Sequence, residues 1–264
     1  MPVTRVAFPN LRGQTLVGIL DKPDAPTGRR PAVVLCHGFT GFKEVKYLVR
    51  LAQGLSRAGF VCLRFDYADG VGDSDGGSED MLLTHQIEDT HAALNFLEAD
   101  PDVDGQRIGL AGHSLGGVAC IAVAASDTRV KALATIAAPA HPDWQRLFGP
   151  DMVKRWERDG VADIPMYPRG HARVRYGFLP DFQRYDAAEL VRKVRAPALF
   201  IQGARDDVVP PRNARALYDN AGGPKRIALV RGATHLFLNS ASLQSLVRAG
   251  VDWFNRCLAG ASGP

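Results

Sequence analysis

Four cysteines scattered through 264 residues are too few for a disulfide scaffold, and each falls where a reduced thiol packs as a small hydrophobe. Cys36 and Cys62 lie in apolar strand-like runs, Cys120 in a small-residue helix and Cys257 in the last helix. No Cys/His cluster has zinc spacing, so neither a metal nor another cofactor is expected. No apolar stretch is long enough to span a bilayer. Residues 1 to 20 alternate polar and apolar positions without a charged start and a continuous apolar core, so no signal peptide is visible. These absences point to a cytoplasmic location and away from a membrane partner. The net charge of +4 is spread along the chain, with no basic run or stripe, which argues against nucleic acid as a partner. There is no internal repeat and no low-complexity segment. What is left is a chain with 46% hydrophobic residues, enough to bury one large core. Its oligomeric state is not written in the sequence, and a homodimer is compatible with it.

Strand and helix periodicities alternate along the chain, which predicts an α/β protein with a mostly parallel sheet and helices on both faces. Thr4 to Phe8 and Thr15 to Leu20 read as an N-terminal hairpin turning at Asn10-Leu11-Arg12-Gly13. Tyr47 to Ala58 reads as an amphipathic helix, Phe60 to Phe65 as a strand, and Gln86 to Ala99 as a helix with Ile87, Thr90, Leu94 and Leu97 inward. Val130 to Ala137 is a strand. Helices follow at Arg212 to Tyr218 and Ser240 to Leu258, the latter with Leu243, Leu246, Val247, Val251 and Phe254 on one face.

One run says most about function. Leu110-Ala111-Gly112-His113-Ser114-Leu115-Gly116-Gly117 is a Gly-x-Ser-x-Gly between a buried strand and a helix of small residues. A serine on such a turn sits in strained backbone with its hydroxyl projecting from the sheet edge, which makes Ser114 the candidate nucleophile. Its partners follow in the order Ser, acid, His. The strand Pro197 to Gly203 runs into Ala204-Arg205-Asp206-Asp207, and the strand Arg226 to Val230 runs into Arg231-Gly232-Ala233-Thr234-His235. Loops at one edge of a parallel sheet bring such residues together. Asp206 is nearer the strand end than Asp207, which suits a turn cap. The strand Pro31 to Cys36 leads into His37-Gly38-Phe39-Thr40-Gly41, where Gly38 allows an N–H to aim inward. The backbone N–H groups of Phe39 and Leu115 are therefore the expected oxyanion donors. His37 and His113 are expected to support loop geometry, Asp66 and Asp69 to order the loop after a core strand, and His85 and His91 to be helical and peripheral.

The segments His37 to Lys43, Arg64 to Gly76 and Gly112 to Gly117, with Asp206 and His235, resemble an α/β-hydrolase, specifically one similar to bacterial cinnamoyl and feruloyl esterases. The resemblance covers nearly the whole chain except residues 139 to 188. It implies a triad of Ser114, Asp206 and His235, an oxyanion donor at Phe39, and hydrolysis of a small-molecule carboxylic ester through an acyl-enzyme. Leu115 stands where these esterases often carry Gln.

Residues 139 to 188 break the alternation. They carry several prolines and glycines and eight of the chain's 21 aromatics, which reads as a cap inserted into a catalytic core formed by residues 1–138 and 189–264. Most of these rings are expected to form the cap's own small core; Trp144, Tyr167 and Tyr176 are the candidate substrate contacts. His141 and His171 fall in the same segment. Other functions use the same motifs, a lactone or thioester hydrolase being one variant. A serine peptidase or aminoacyl-amide hydrolase would recognise an amino terminus through acids such as Asp143, Asp151, Glu157, Asp159 and Asp163; a non-catalytic ligand-binding relative would lack a triad member. A neutral His235 acting as base predicts activity rising through roughly pH 6 to 8.

Overall fold

A computed structural model describes residues 2–24, 28–166 and 170–259, with the side chain of Trp144 excepted. Eight strands form one sheet: β1 (Val3–Pro9), β2 (Thr15–Asp21), β3 (Arg30–Cys36), β4 (Val61–Phe65), β5 (Val103–His113), β6 (Val130–Ile136), and β9 (Ala198–Gly203) with β10 (Lys225–Val230). Their order across the sheet is β1-β2-β4-β3-β5-β6-β9-β10. The hairpin β1–β2 is antiparallel, pairing Val3 with Asp21 through Pro9 with Thr15, and β2 meets β4 antiparallel; the strands from β4 to β10 are parallel to their neighbours. The hairpin turn closes through the Gly13 N–H donating to the Asn10 carbonyl at 3.2 Å, with Gly13 at φ 76° as that turn requires.

Strand side chains alternate between faces, and the core divides accordingly. Val33 and Leu35 of β3 face one way, against Leu51 and Leu55 of α1 (Lys46–Arg57) and Leu246 and Phe254 of α9 (Ser240–Leu258). Ala32, Val34 and Cys36 face the other, against α2 (Leu83–Ala99), α3 (Leu115–Ala124) and α8 (Arg212–Asn220). A parallel sheet covered on both faces reads as near-continuous hydrophobic strands, as β3 does from Pro31 to Cys36; β4 is interrupted only by Arg64, which pairs with Asp21. Val247 and Val251 are half-buried at the edge of the α9 face, and Ile87 is half-buried on α2. The helix α2 begins at Leu83, three residues before the expected start. Asp181, 97 positions downstream, accepts the Thr84 N–H at 3.0 Å and the Thr84 hydroxyl, so the cap comes from tertiary structure.

Residues 139 to 188 fold apart from the main sheet. They form α4 (Trp144–Phe148), α5 (Pro150–Asp159), an antiparallel pair β7 (Val161–Met166) and β8 (Gly170–Arg175), then α6 (Phe178–Gln183) and α7 (Ala187–Leu190). Burial alternates along β8, with Ala172 and Val174 inward. The Trp156 indole N–H donates to the Val174 carbonyl at 2.8 Å, tying α5 to the hairpin. Trp156 packs against Phe148 and Phe178, but these rings belong to the same hydrophobic cluster as Val34 of β3 and Leu94 of α2, so they do not form the separate core expected for the segment. All four cysteines are free, three of them buried.

Candidate active site

Ser114 lies between the last residue of β5 and the first of α3, at φ 51° and ψ −119°. That conformation is costly for any residue with a Cβ and persists only where the surroundings enforce it. Here the Ser114 N–H donates to the Ile136 carbonyl of β6 at 2.8 Å, and the Ser114 carbonyl accepts from Gly117 at 2.9 Å. The neighbouring glycines leave the turn no alternative width. A Cβ on Gly112 would lie 2.2 Å from the Gly116 carbonyl oxygen, and one on Gly116 would lie 2.1 Å from that of His37. Four non-glycine residues among those described have positive φ: Thr40, Ser114, Ala137 and Phe237. All four follow parallel strands at their carboxyl ends, so the backbone strain is concentrated at one edge of the sheet.

His235 reaches this edge from the loop after β10. Its Nδ1 lies 2.9 Å from Oδ2 of Asp206, whose side chain is fully buried. The Asp206 carboxylate also accepts the N–H groups of Val208 and Val209 at 3.1 and 2.8 Å and the Gln202 amide at 2.9 Å. An ionised carboxylate held this way keeps the proton on Nδ1 and leaves Nε2 as the basic nitrogen. Asp207 is exposed. The two loops meet because Gly203 permits it: a Cβ there would lie 2.6 Å from the Ala233 carbonyl oxygen.

The oxyanion candidates converge on the same turn. A Cβ on Gly38 would lie 2.9 Å from His113 Nδ1 and 3.1 Å from Ser114 Cβ, so the backbone entering Phe39 runs directly against the serine. Leu115 opens α3, where the first N–H groups have no partner within the helix. Ser114, His235, Phe39 and Leu115 all line one cavity of about 570 Å³. Its wall from the 139 to 188 segment is made by Pro139, Leu147, Phe148, Phe178 and Phe182. Phe39 stacks on Phe178 at 4.9 Å between centroids and meets Phe148 edge-on at 5.7 Å, joining the oxyanion loop to the aromatic rings of that segment.

Of the three candidate substrate contacts in that segment, only Tyr176 has a described side chain, and it does not line the cavity. It is half-buried and packs on the core instead. Tyr167 and the side chain of Trp144 lie outside the described residues. His141 pairs with Asp186 at 2.8 Å on the exposed surface, and His171 is exposed. The phenylalanines that do line the cavity gave no local signal, because a ring facing a cavity and a ring facing the core have the same sequence pattern.

Supporting residues fall as expected, with additions. The His113 Nε2–H donates to the His235 carbonyl at 3.0 Å and its Nδ1 accepts from the Tyr47 hydroxyl at 3.0 Å. Burial, then the charge of the adjacent His235, pushes the His113 imidazole well below the usual histidine range. His37 is also lowered by burial. Asp66 accepts the Lys43 ammonium at 2.6 Å and the N–H groups of Lys43 and Asp73 at 2.7 and 2.8 Å, anchoring the loop from 66 to 76. Tyr47, Lys43 and Gln202 have site-supporting roles that the sequence did not reveal, since their partners are 66, 23 and 4 positions away on other elements or loops. His85 and His91 are peripheral on α2.

A serine at a strained strand–helix turn and a histidine–aspartate pair, lining one cavity at the carboxyl edge of a mostly parallel sheet, are the arrangement of an α/β-hydrolase. The solved structure of Est1E from Butyrivibrio proteoclasticus with ferulic acid superposes with a TM-score of 0.81 at 22% identity, covering 96% of this chain and 99% of that one. The chain belongs to the acetyl xylan esterase (AXE1) family, whose model matches residues 68–249. Among curated relatives, the polyketide transferase ATR5 of Stachybotrys chlorohalonatus is 38% identical, over 88% of this chain and 89% of its own. The human mitochondrial palmitoyl-protein thioesterase ABHD10 is 26% identical, over 91% and 80%. Membership makes this protein a hydrolase of an esterase family. No helix among the described residues is long and apolar enough to cross a membrane.

Proposed function

We propose that the protein is a serine esterase that cleaves short-chain or aryl carboxylic esters, hydroxycinnamoyl esters included, through an acyl-enzyme on Ser114. The observation that carries this reading is the placement of Ser114 at φ 51° beside His235, itself paired with buried Asp206, on one largely apolar cavity. His235 Nε2 takes the Ser114 proton as the hydroxyl attacks the ester carbonyl, and the N–H groups of Phe39 and Leu115 meet the oxyanion. The same proton goes to the departing alcohol. Water, activated by His235, then releases the acid and restores Ser114. The acyl group faces Phe39, Phe148, Phe178 and Phe182, and a cavity of about 570 Å³ suits an aryl or short acyl group better than a long lipid chain. Residues 139 to 188 act as the cap over this group.

The amino-terminal recognition that a peptidase needs loses its support here. Among the described residues lining the cavity the one acid is Glu44, and none of Asp143, Asp151, Glu157, Asp159 and Asp163 lines it. Rates on p-nitrophenyl acetate, butyrate and decanoate, methyl ferulate and an aminoacyl anilide test the proposal. We expect ester cleavage that falls from butyrate to decanoate and drops by about 10³-fold or more in Ser114→Ala. Anilide cleavage alone would transfer the assignment to a peptidase, and esterase activity surviving in Ser114→Ala would remove the acyl-enzyme.

A further inference from the structure

A second concavity, of about 510 Å³, runs along the seam between α1 and α9 and shares Lys46 with the Ser114 cavity. Two stretches of chain border both. Val45 and Lys46 pass from the mouth of the cavity into α1, and Leu238 and Ser240 pass from its rim into α9. Lys46, Arg50 and Arg57 recur at four- and seven-residue intervals, so they share one face of α1 over about 16 Å of helix. Arg248 stands across the seam on α9. Four cations line this groove against one acid, Asp252. Its floor is apolar and narrow, for a Cβ on Gly54 would lie 2.6 Å from Val247.

An ester or thioester bound at Ser114 divides at its carbonyl. With the acyl part in the aromatic end of the cavity, the leaving part can extend toward Lys46, which lines both concavities. Beyond that point it meets an apolar floor flanked by guanidinium groups, which are the preferred partners of phosphate oxygens. We infer that the groove binds the phosphate-bearing end of the leaving group, so that the substrate is a soluble acyl thioester of a pantetheine-type thiol such as coenzyme A. The neutral pantetheine arm lies on the seam and its phosphates rest between Arg50 and Arg248. The inference rests on the acyl-enzyme reading above. The acyl C–S bond breaks as the bond to Ser114 Oγ forms, the thiol leaves with the proton that His235 took from the hydroxyl, and water releases the acid.

The test compares S-butyryl-coenzyme A, S-butyryl-4′-phosphopantetheine and the uncharged S-butyryl-N-acetylcysteamine on wild type and the Arg50→Gln/Arg248→Gln double variant, with p-nitrophenyl butyrate as reference. We expect a KM for the coenzyme A thioester about tenfold or more below that of the uncharged thioester. That advantage should shrink as salt rises and be lost in the double variant, with kcat and p-nitrophenyl butyrate turnover unchanged. The phosphopantetheine arm shows whether one phosphate suffices or the nucleotide phosphates are needed. Equal KM values for charged and uncharged thioesters, alongside Ser114-dependent cleavage of p-nitrophenyl butyrate, would overturn the inference and leave the esterase reading standing. Calorimetric binding of coenzyme A reads the groove without turnover. No binding by wild type, or binding undiminished in the double variant, would overturn it even if no ester is cleaved. Arg50- and Arg248-dependent sedimentation with phosphatidylglycerol vesicles, without coenzyme A binding, would reassign the groove to a lipid surface.

Discussion

Ser114 stores strain where the proposed chemistry needs a projecting hydroxyl, and that strain has a measurable size. At φ 51° and ψ −119° the Cβ is the source of the cost, which glycine does not carry. Ser114→Gly should therefore be more stable than Ser114→Ala by about 1 kcal/mol in urea unfolding, after the larger chain entropy of glycine is offset, while both are inactive. Equal stability would mean that the turn relaxes on losing its hydroxyl. Asp69 offers a second single-site test. It is buried behind the same sheet edge, where it accepts from the Val71 N–H and the Gln86 amide, and burial pushes its carboxyl up to about 7. Gln86 Oε1 is buried with no partner among the described residues, and a neutral acid at Asp69 can donate to it if the amide turns. Because the folded state holds this proton more tightly than the unfolded chain, stability from this group is lost as pH rises from the ordinary carboxylate range to about 7. Asp69→Asn keeps the donor and has no proton to lose. Its Tm relative to wild type should rise between about pH 4.5 and pH 8, and a constant difference would place the Asp69 proton elsewhere.

Helix α2 shows where local sequence stops being informative. Its inward residues followed from a 3.6-residue period, and Leu94 and Leu97 are fully buried as that period requires. Its start did not, because Leu82 has no capping side chain and the carboxylate that meets the first turn belongs to Asp181 on α6. Asp181→Ala should cost about 1 to 2 kcal/mol and increase hydrogen exchange in the first turn of α2, with esterase activity on small substrates retained. Unchanged exchange there would mean that packing of Leu83 alone fixes the helix start. The same limit separates what was legible at the site from what was not. Ser114, Asp206 and His235 each sit just beyond a strand with its own apolar signature, so their positions could be read residue by residue. The cavity wall formed by Phe148, Phe178 and Phe182 depends on how α4 and α6 pack against the oxyanion loop, and no spacing within residues 139 to 188 encodes that packing.

That packing also decides how the molecule unfolds. The buried residues of the 139 to 188 segment, Trp156, Val174, Phe178 and Phe182 among them, belong to the same hydrophobic cluster as Val34 of β3, Leu94 of α2 and Val118 of α3. Phe178 is 1% exposed, and the segment has no second core of comparable size to fall back on. Removing such shared apolar surface from water on both sides at once makes the segment and the sheet mutually dependent. The long-range ties agree: Asp181 with Thr84, the Thr84 and Tyr185 hydroxyls at 2.7 Å, and the Ala140 N–H donating to Asn213 Oδ1 of α8 at 3.0 Å. A cap hinged on a mobile linker would instead melt by itself. We therefore expect one cooperative urea transition, coincident by far-ultraviolet circular dichroism and by tryptophan fluorescence, since Trp156 reports the segment and Trp253 reports α9 on the opposite face of the sheet. Phe178→Ala should shift both probes together to lower urea by about 3 to 5 kcal/mol. A fluorescence change preceding the loss of secondary structure would show that the cap opens independently, and closure over the acyl group would then have to be counted as a step in turnover.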